Sequence, residues 1–340
     1  MTKKSAKKNR NCAQRKGLGN IKGQPHVTNY LEVEIRAYRS SKGRNSSIGP
    51  IMLSGPPGTG KTMVAKEIHG ELGNKKLIEV NGEALNSKKE LYSTFIDIKN
   101  DETLFIDEAH GLNYRAQLIL LTSISEKKLY VPSSISSVPS CIIDLPDFTM
   151  IFATTDEYQI QAPLRNRMMI YCRFDYYSVE DLIEIVRQKA DELNAAYESE
   201  EVLHIIAQRA KRTPRLALNK NLQTCLNVSK SHSHNMIILE DVHEAFNYLQ
   251  IDELGLDRLD RSYLEILFDS GLSTLSVLSS KLSMPSLTIQ KVVEPYLLRE
   301  GLINKGKSSV RIITQRGRNH IETTLFKSEC LCLEDKNVAG

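Results

Sequence analysis

The sequence predicts an α/β domain with a mostly parallel sheet, then a small helical domain, then a unit of three helices and a two-stranded ribbon. Three observations predict this order of elements. Short apolar runs alternate with helical stretches in the first half, as in parallel sheets covered by helices. From Ser178 to Leu249 the pattern is helical throughout. Near the C-terminus, helices give way to two β-prone runs joined by a basic turn.

Composition and charge are those of an ordinary globular protein. The chain has 340 residues, of which 41% are hydrophobic and 25% charged, enough for two or three domains. No apolar run approaches the roughly 20 residues of a membrane span, and the basic N-terminus lacks the apolar segment of a signal peptide. Scattered cysteines are typical of free thiols in a reducing compartment, so we expect a cytoplasmic protein. Cys330 and Cys332 form either a metal or redox site or a chance pair near the C-terminus.

The positive charge is concentrated at the N-terminus. Residues 1–31 contain eight lysines and arginines and no acid, and because the chain totals +4, the remainder carries −4. A basic segment with so few apolar residues cannot bury enough surface to fold alone, so residues 1–22 are predicted to be a disordered tail. The tail is either a nucleic-acid-binding arm or a solvated leader.

Strands and helices alternate in the first domain. A helix is predicted over Val27–Arg39. The predicted strands are Ile51–Ser54, Leu77–Val80, Thr103–Ile106 and Met150–Ala153. Ligands of such sheets bind at the carboxyl ends of the strands, so the residues that follow each strand are the candidates for a site.

A phosphate-binding loop follows the first of these strands. It reads Gly55, Pro56, Pro57, Gly58, Thr59, Gly60, Lys61, Thr62, and a helix continues from Met63 to Leu72. Glycines let the backbone turn tightly so that successive N–H groups face one anion, and the helix adds its positive end at the same place. Lys61 is expected to reach the β- and γ-phosphates and Thr62 to ligate Mg²⁺. The motif therefore predicts a nucleoside triphosphate site.

Polar residues after two other strands complete the predicted chemistry. Asp107 is expected to hold the Mg²⁺ shell and Glu108 to orient and polarise the attacking water. Thr154 or Thr155 is expected to bond the γ-phosphate or that water. The acidic pair has an alternative interpretation as ordinary surface residues, which the neighbouring phosphate loop makes weaker.

Arginines beyond the sheet are candidates for charge stabilisation. Arg165 and Arg167 either reach the triphosphate of a neighbouring subunit or form a surface basic pair. Arg215, next to Pro214 at the start of a helix in the second domain, is placed to contact the nucleotide.

Residues 127–145 interrupt the alternation with two β-prone runs around a serine-rich segment. The pattern predicts a protruding hairpin with Ile135 and Val138 near its tip. Partly exposed apolar groups there favour a partner-docking surface, with a hairpin folded back on the core as the alternative.

The last unit has the pattern of a winged helix. Helices are predicted at Arg258–Asp269, Thr274–Leu282 and Ser286–Glu300, followed by a ribbon of Leu302–Asn304 and Val310–Ile313. Its basic residues, predicted to contact DNA phosphates, are Lys305, Lys307, Arg311, Arg316 and Arg318. A winged helix that only binds protein is the alternative.

These motifs, in this order, resemble the AAA+ ATPases, and most closely the RuvB family of branch-migration motors. The resembling segments are 55–62, 104–112, 144–148, 153–167, 213–215, 257–263 and 288–301. The resemblance implies ATP and Mg²⁺ as cofactors, Arg167 as a finger acting on a neighbouring subunit, and Arg215 as a nucleotide sensor. It also implies a hexameric ring on duplex or branched DNA, with hairpin 127–145 docking on a RuvA-like junction-binding protein.

The resemblance also sets the domain limits. It implies an AAA+ large domain over 23–177, a helical lid over 178–251, a winged-helix DNA-binding domain over 252–325 and a tail over 326–340. We therefore expect an ATP-hydrolysing DNA motor that acts in recombination and repair. The alternative is a nucleotide-switched, DNA-bound adaptor or regulator that moves nothing.

Overall fold

A computed structural model describes residues 17–40, 47–132, 140–307 and 309–324. The chain divides into two compact units, one formed by Met1–Ile185 with Thr213–Arg215 and the other by Val186–Arg212 with Leu216–Gly340. Residues 1–16 of the predicted basic tail, the hairpin residues Ile135 and Val138, and the pair Cys330 and Cys332 lie outside the described residues. The prediction that the tail extends to residue 22 is wrong, because Leu18 and Ile21 are buried in an apolar core of the first unit.

The first unit is built on a five-stranded parallel sheet. Its elements are α1 (Pro25–Ser40), β1 (Ile51–Ser54), α2 (Lys61–Leu72), β2 (Leu77–Asn81), α3 (Lys88–Asp97), β3 (Thr103–Asp107), α4 (Tyr114–Glu126), β4 (Lys128–Val131), β5 (Cys141–Asp144), β6 (Thr149–Thr154), α5 (Ala162–Arg165) and β7 (Ile170–Arg173), and α6 (Val179–Glu192) runs across the unit boundary. The strand order is β2-β3-β6-β1-β7. The predicted α/β class is confirmed, and the four predicted strands are β1, β2, β3 and β6.

Helices cover both faces of this sheet, so two apolar cores form. Phe95 of α3 and Phe152 of β6 are buried in one core, and Ile68 of α2 and Phe105 of β3 in the other. Every residue of β1 and β6 is buried. A strand enclosed on both faces needs apolar residues at every position, which is why these runs are continuous rather than alternating.

The sheet contains one strand that sequence analysis missed. β7 pairs in parallel with β1, with Ile51 opposite Ile170. Only two of its four residues, Ile170 and Cys172, are buried, because it lies at the edge of the sheet. A half-buried edge strand of four residues leaves too little apolar pattern to be recognised alone.

The predicted hairpin forms as an antiparallel pair of β4 and β5. Leu129 and Val131 are buried, whereas Tyr130 and Ile142 are directly opposite each other and exposed. One face of the hairpin therefore packs on the core and the other presents an aromatic–aliphatic pair to solvent.

The second unit contains the remaining helices and a small sheet. Its elements are α7 (Glu200–Gln208), a π-helical segment (Leu216–Leu222), α8 (Gln223–Ser231), α9 (Leu239–Leu249), α10 (Arg258–Ser270), β8 (Leu272–Thr274), α11 (Leu275–Leu282), α12 (Ser286–Thr288), a second π-helical segment (Ile289–Val293), α13 (Glu294–Arg299), β9 (Ile303–Lys305) and β10 (Val310–Ile313). β8, β10 and β9 form one antiparallel sheet in that order. The predicted winged helix is confirmed, with β8 as a third strand that was not predicted.

The long helix predicted over Ser286–Glu300 is divided in three. Pro295 lies at the start of α13 and has no N–H to bond the carbonyl of Lys291. The preceding turn widens into the π-helical segment Ile289–Val293 as a result.

The described residues allow two expectations to be examined, the lack of a membrane-spanning helix and the presence of free thiols. None of the helices in the described ranges is long and apolar enough to cross a membrane. Cys172 and Cys225 are free and buried, and burial raises the pKa of each thiol to about 12, so both stay protonated and unreactive at neutral pH.

Candidate functional site

The phosphate loop follows β1 and is shaped by three glycines with positive φ, two of which also have no space for a side chain. Gly55, Gly58 and Gly60 have φ values of 152°, 76° and 97°. A Cβ on Gly55 would lie 2.4 Å from the carbonyl oxygen of Phe174, and one on Gly58 would lie 2.7 Å from the side chain of Thr213. The loop therefore needs glycine both for backbone conformation and for space.

Lys61 begins α2 and lies folded over the loop. Its Nζ donates hydrogen bonds to the carbonyl oxygens of Gly55 and Pro56, both at 2.7 Å. Burial lowers the pKa of Lys61 to about 8, with nearby Arg215 adding to the effect. A cation held by neutral carbonyls at a helix N-terminus is placed to bind an anionic phosphate.

Thr62 and Asp107 meet at the ends of α2 and β3, as predicted for a metal shell. The Thr62 Oγ1 donates to Asp107 Oδ2 at 3.0 Å, and the backbone N–H of Glu108 donates to Asp107 Oδ1 at 2.9 Å. Mg²⁺ prefers oxygen ligands, and this hydroxyl and carboxylate supply two adjacent ones. The residues present therefore fit the Mg²⁺ of an ATPase, which would neutralise phosphate charge there.

Glu108 lies beside a histidine that sequence analysis did not single out. Its backbone is left-handed, with φ of 47°, an uncommon conformation outside glycine that is often found at active sites. His110 Nδ1 lies 3.3 Å from Glu108 Oε2, and 3.4 Å from the Oγ1 of Thr154 on β6. His110 thus connects the predicted water-orienting carboxylate to the end of the neighbouring strand. Its position three residues after Asp107 was the available signal.

Two threonines were alternatives for the end of β6. Thr154 is fully buried, and its Oγ1 accepts a hydrogen bond from the N–H of Asp156 at 3.1 Å while facing His110. Thr155 is the next residue and is half-buried. Thr154 is the hydroxyl joined to the Glu108 cluster, and a catalytic role for Thr155 stays a prediction.

The segment Thr213–Arg215 packs directly on the phosphate loop. The N–H of Arg215 donates to the carbonyl oxygen of Gly58 at 3.4 Å, and Thr213 is buried beside the same glycine. The structure therefore brings Arg215, predicted from a distant position in the chain, to the phosphate loop.

Two further residues at the loop were missed by sequence analysis. The Tyr177 hydroxyl donates to the carbonyl oxygen of Thr59 at 2.9 Å, and its ring lies against Gly23. The Gln24 side chain donates to the carbonyl oxygen of Asp175 at 2.7 Å. Both residues are buried. Tyr177 therefore contacts both the phosphate loop and the segment before α1, and Gln24 bonds that segment to the residues after β7. A lone tyrosine after an unrecognised strand gave no signal.

Comparison with known proteins identifies the family. A family model described as the Holliday junction DNA helicase RuvB P-loop domain matches residues 14–174, and one described as the RuvB C-terminal winged helix domain matches residues 253–322. The Holliday junction branch migration complex subunit RuvB of Prochlorococcus marinus (strain NATL2A) is 32% identical over 310 residues, which cover 90% of this chain and 85% of the relative. This chain belongs to the RuvB family.

Solved structures agree with this assignment. The chain is similar to Thermotoga maritima RuvB, described as a Holliday junction branch migration motor, with a TM-score of 0.77 and 28% identity over 90% of this chain and 97% of the other. A point mutant of the same protein gives a TM-score of 0.78 at 28% identity, covering 90% of this chain and 98% of the other. The two-domain similarity makes this chain a RuvB-type P-loop ATPase with a winged helix.

Within this RuvB-type ATPase, Arg165 at the end of α5 and Arg167 just after it differ in surroundings. Arg165 lies over the ring of Tyr158, with its guanidinium carbon 5.6 Å from the ring centroid. Arg167 is exposed on the turn that follows. Met63 is also exposed, on the first turn of α2. Arg167 is therefore the arginine available to a second subunit, and its role as a finger stays a prediction.

In the RuvB-type winged helix, one residue that was predicted to contact DNA is buried. Arg311 is only 3% exposed, and its Nε and Nη2 donate to the buried carboxylate of Glu294 at 2.7 and 3.1 Å. The prediction that Arg311 contacts phosphate is wrong, because its side chain points inward from β10 and binds α13. Alternation along the short ribbon puts every second residue inside, and sequence analysis had counted every basic residue as exposed.

The other basic residues of the ribbon remain at the surface. Lys305 is half-exposed and lies 3.1 Å from Glu294, and the exposed Arg316 lies 3.3 Å from Glu300. Lys307 is exposed and has no ion pair within the described part of the chain. A DNA-binding role for these three residues stays a prediction.

Proposed function

We propose that this RuvB-family protein is an ATP-hydrolysing, ring-forming motor that drives branch migration of Holliday junctions or related branched DNA in the cytoplasm. The observation that carries the proposal is the meeting of Lys61, Thr62, Asp107 and Arg215 at one end of the parallel sheet. Membership of a family whose named relatives are branch-migration proteins supplies the substrate class.

Hydrolysis would depend on side chains of one subunit holding the triphosphate and water in place. Lys61 and the loop N–H groups would bind the phosphates, and Thr62 and Asp107 would hold Mg²⁺, whose charge would neutralise part of that of the phosphates. Glu108 orients the attacking water and accepts its proton. His110 keeps the Glu108 carboxylate pointed at that water, supported by its contact distance of 3.3 Å.

We propose that Arg167 completes the site of a neighbouring subunit in a ring, which we take to be a hexamer. Its exposure supports this role, because a residue that serves another subunit must project from its own. Arg215 would sense the nucleotide within the same subunit, since its backbone is bonded to the phosphate loop. Charge spread over the phosphoryl oxygens in the transition state makes a positioned arginine effective.

We propose that the hairpin at 127–145 docks on a RuvA-like junction-binding protein. The exposed pair Tyr130 and Ile142 supports an apolar contact, since both lie on the face of the hairpin turned away from the core. Ile142→Lys should abolish stimulation by such a partner while DNA-independent ATPase activity is retained. Retained stimulation would place the docking surface elsewhere.

The test of the proposed function is branch migration of a synthetic four-way junction with ATP and Mg²⁺. We expect wild-type protein to exchange strands and Glu108→Gln to bind ATP and DNA without exchanging them. Strand exchange that does not depend on ATP hydrolysis would overturn the proposal of a motor. ATP-dependent DNA binding with no exchange by the wild type, even with a RuvA-like partner present, would support the adaptor alternative.

A further inference from the structure

Two histidines and a carboxylate converge in the second unit, on the turn between α8 and α9. His232 Nδ1 lies 3.1 Å from Asp241 Oδ1, and His234 Nδ1 lies 3.0 Å from the same oxygen. The three ligand atoms lie within 4.8 Å of one another. Nothing in the ATPase or winged-helix chemistry uses this cluster.

The backbone fixes both imidazoles in place. At the C-terminus of α8, the N–H of His234 donates to the carbonyl oxygen of Ser229 at 2.9 Å, and Ser233 between the histidines is left-handed with φ of 59°. This is the hydrogen-bond pattern of a Schellman cap, which ends a helix in one defined geometry. Asp241 is fully buried in the first turn of α9, where it also accepts from the N–H of Ile238 at 3.3 Å.

The spacing of these atoms suits a tetrahedral metal ion. Ligands about 2.0–2.1 Å from Zn²⁺ at the corners of a tetrahedron lie about 3.3 Å apart. The distances of 3.0 and 3.1 Å between each imidazole nitrogen and the carboxylate are close to that value. Binding requires each Nδ1 to release its proton, which moves to Nε2 or to solvent.

A second carboxylate stands where metal-binding histidines usually have one. Glu244, one helical turn after Asp241, has its Oε2 3.4 Å from the Nε2 of His232. Histidine ligands characteristically donate their other ring N–H to such a group, which fixes the tautomer and raises the basicity of the ligand.

We infer that His232, His234 and Asp241 form a binding site for a first-row transition-metal dication such as Zn²⁺, oriented by Glu244. Two nitrogen ligands and one carboxylate select such ions over Mg²⁺ and Ca²⁺, which prefer oxygen-only shells. The imidazoles are 41% and 36% exposed, so an ion enters from solvent and water completes its shell. The bound ion joins the end of α8 to the start of α9.

The test is Zn²⁺ binding to the full chain, purified without a polyhistidine tag and stripped with chelator. Equilibrium dialysis and calorimetry should find one more bound Zn²⁺ in wild type than in the His232→Ala/His234→Ala double variant. His204→Ala, which removes an exposed histidine elsewhere on the second unit, should bind as wild type does. Equal stoichiometry and affinity in wild type and double variant would overturn the site.

Two further measurements separate this site from cysteine sites and from a hydrogen-bonded cap. Co²⁺ should give the visible bands of a tetrahedral nitrogen–oxygen site, without thiolate charge transfer, and the double variant should lose them. Glu244→Gln should weaken Zn²⁺ binding about 10–100-fold. If Glu244→Gln leaves the affinity unchanged, Glu244 does not orient His232, and thiolate bands in both proteins would assign the metal to cysteines.

Discussion

Basic side chains cluster both at the phosphate loop and in the wing, which we define as β9, β10 and the residues between and after them to Arg318. The two clusters differ in whether carboxylates of the same fold neutralise them. Lys61 is buried and gives both of its hydrogen bonds to neutral carbonyl oxygens. In the wing, Arg311 and Lys305 share the buried carboxylate of Glu294, and Arg316 lies beside Glu300. The loop therefore keeps a cation for a ligand, whereas much of the charge of the wing is used within the fold.

Basic residues within a fixed motif and basic residues along a short ribbon differ in how reliably the sequence predicts their role. A motif such as the phosphate loop has one structural solution, so its lysine has one role. A run of basic residues on a short ribbon has no such constraint, because the pleat sends alternate residues inward. The number of basic residues in the wing therefore overestimates the charge it offers to DNA.

The largest expected effect concerns Arg167, whose charge would serve another subunit. Arg167→Ala should lower ATPase activity by about 10³-fold or more, because a transition-state arginine contributes that much in related phosphoryl transfers. Mixing Arg167→Ala subunits with Glu108→Gln subunits should restore part of the activity in steady-state ATPase assays. No recovery despite demonstrated co-assembly would contradict an arginine acting between subunits.

Loss of the Glu294 carboxylate should mainly lower the free energy of unfolding of the winged helix. Glu294→Gln leaves Arg311 buried without its carboxylate, and we expect a loss of about 3–5 kcal/mol in urea unfolding monitored on the second unit. Lys305→Ala, which removes only the half-exposed partner, should cost about 1 kcal/mol or less. Similar losses for both variants would mean that the ion pair of Glu294 with Arg311 contributes no more to stability than its ion pair with Lys305.

The same carboxylate gives a pH dependence with a definite sign. Burial alone would raise the pKa of Glu294, but hydrogen bonds from Arg311 and Lys305 outweigh it and lower the pKa. The stabilisation is therefore present above the ordinary glutamate pKa of about 4.3 and is lost as pH falls through the lower folded value. Glu294→Gln should remove this acid-sensitive part, and an unchanged pH profile would contradict the assignment.

His110 is expected to act on the loop site through Glu108. His110→Ala should lower kcat by about 10²-fold, because a misplaced catalytic group costs that much, while nucleotide affinity is maintained. Single-turnover hydrolysis and equilibrium ATP binding would be measured together. His204→Ala is the control, since it removes an exposed histidine of the second unit. Equal losses of binding and turnover would indicate a structural role for His110 instead.

The low pKa of Lys61 predicts weaker nucleotide binding in alkali. Only the protonated amine binds phosphate well, so ATP affinity should fall by up to about tenfold per pH unit above pH 8. The control is Lys61→Arg, whose guanidinium stays charged over this pH range. The ATP affinity of this variant, whatever its value, should not change with pH. Wild-type affinity that stays constant from about pH 7 to about pH 9.5 would contradict a titrating Lys61.

The smallest effect distinguishes the exposed from the internal cations of the wing. Lys307→Ala should reduce the slope of log DNA affinity against log salt by about 0.9, the value for one lost phosphate contact. Replacement of the buried Arg311 by Lys, which keeps the positive charge, should leave that slope unchanged in fluorescence anisotropy titrations of duplex DNA. A slope reduced by the Arg311→Lys change and not by Lys307→Ala would reverse the assignment.

Local sequence patterns were sufficient to predict the phosphate loop, the acidic pair and the order of domains. Each depends on local spacing: glycines in the loop conformation, Lys61 at a helix start, Asp107 at the end of a buried strand. The apolar runs of β1 and β6 are continuous because both faces of the sheet are covered, so their pattern is visible in the chain.

Which distant residues meet depends on how separate elements pack, and the sequence pattern did not predict it. Thr154 and His110 come together because β6 and β3 are neighbours, and Tyr177 reaches the loop because β7 lies beside β1. The burial of Arg311 and the convergence of His232 on Asp241 likewise depend on packing between separate elements. Contacts between elements follow strand order and register, and one sequence carries no local pattern for either.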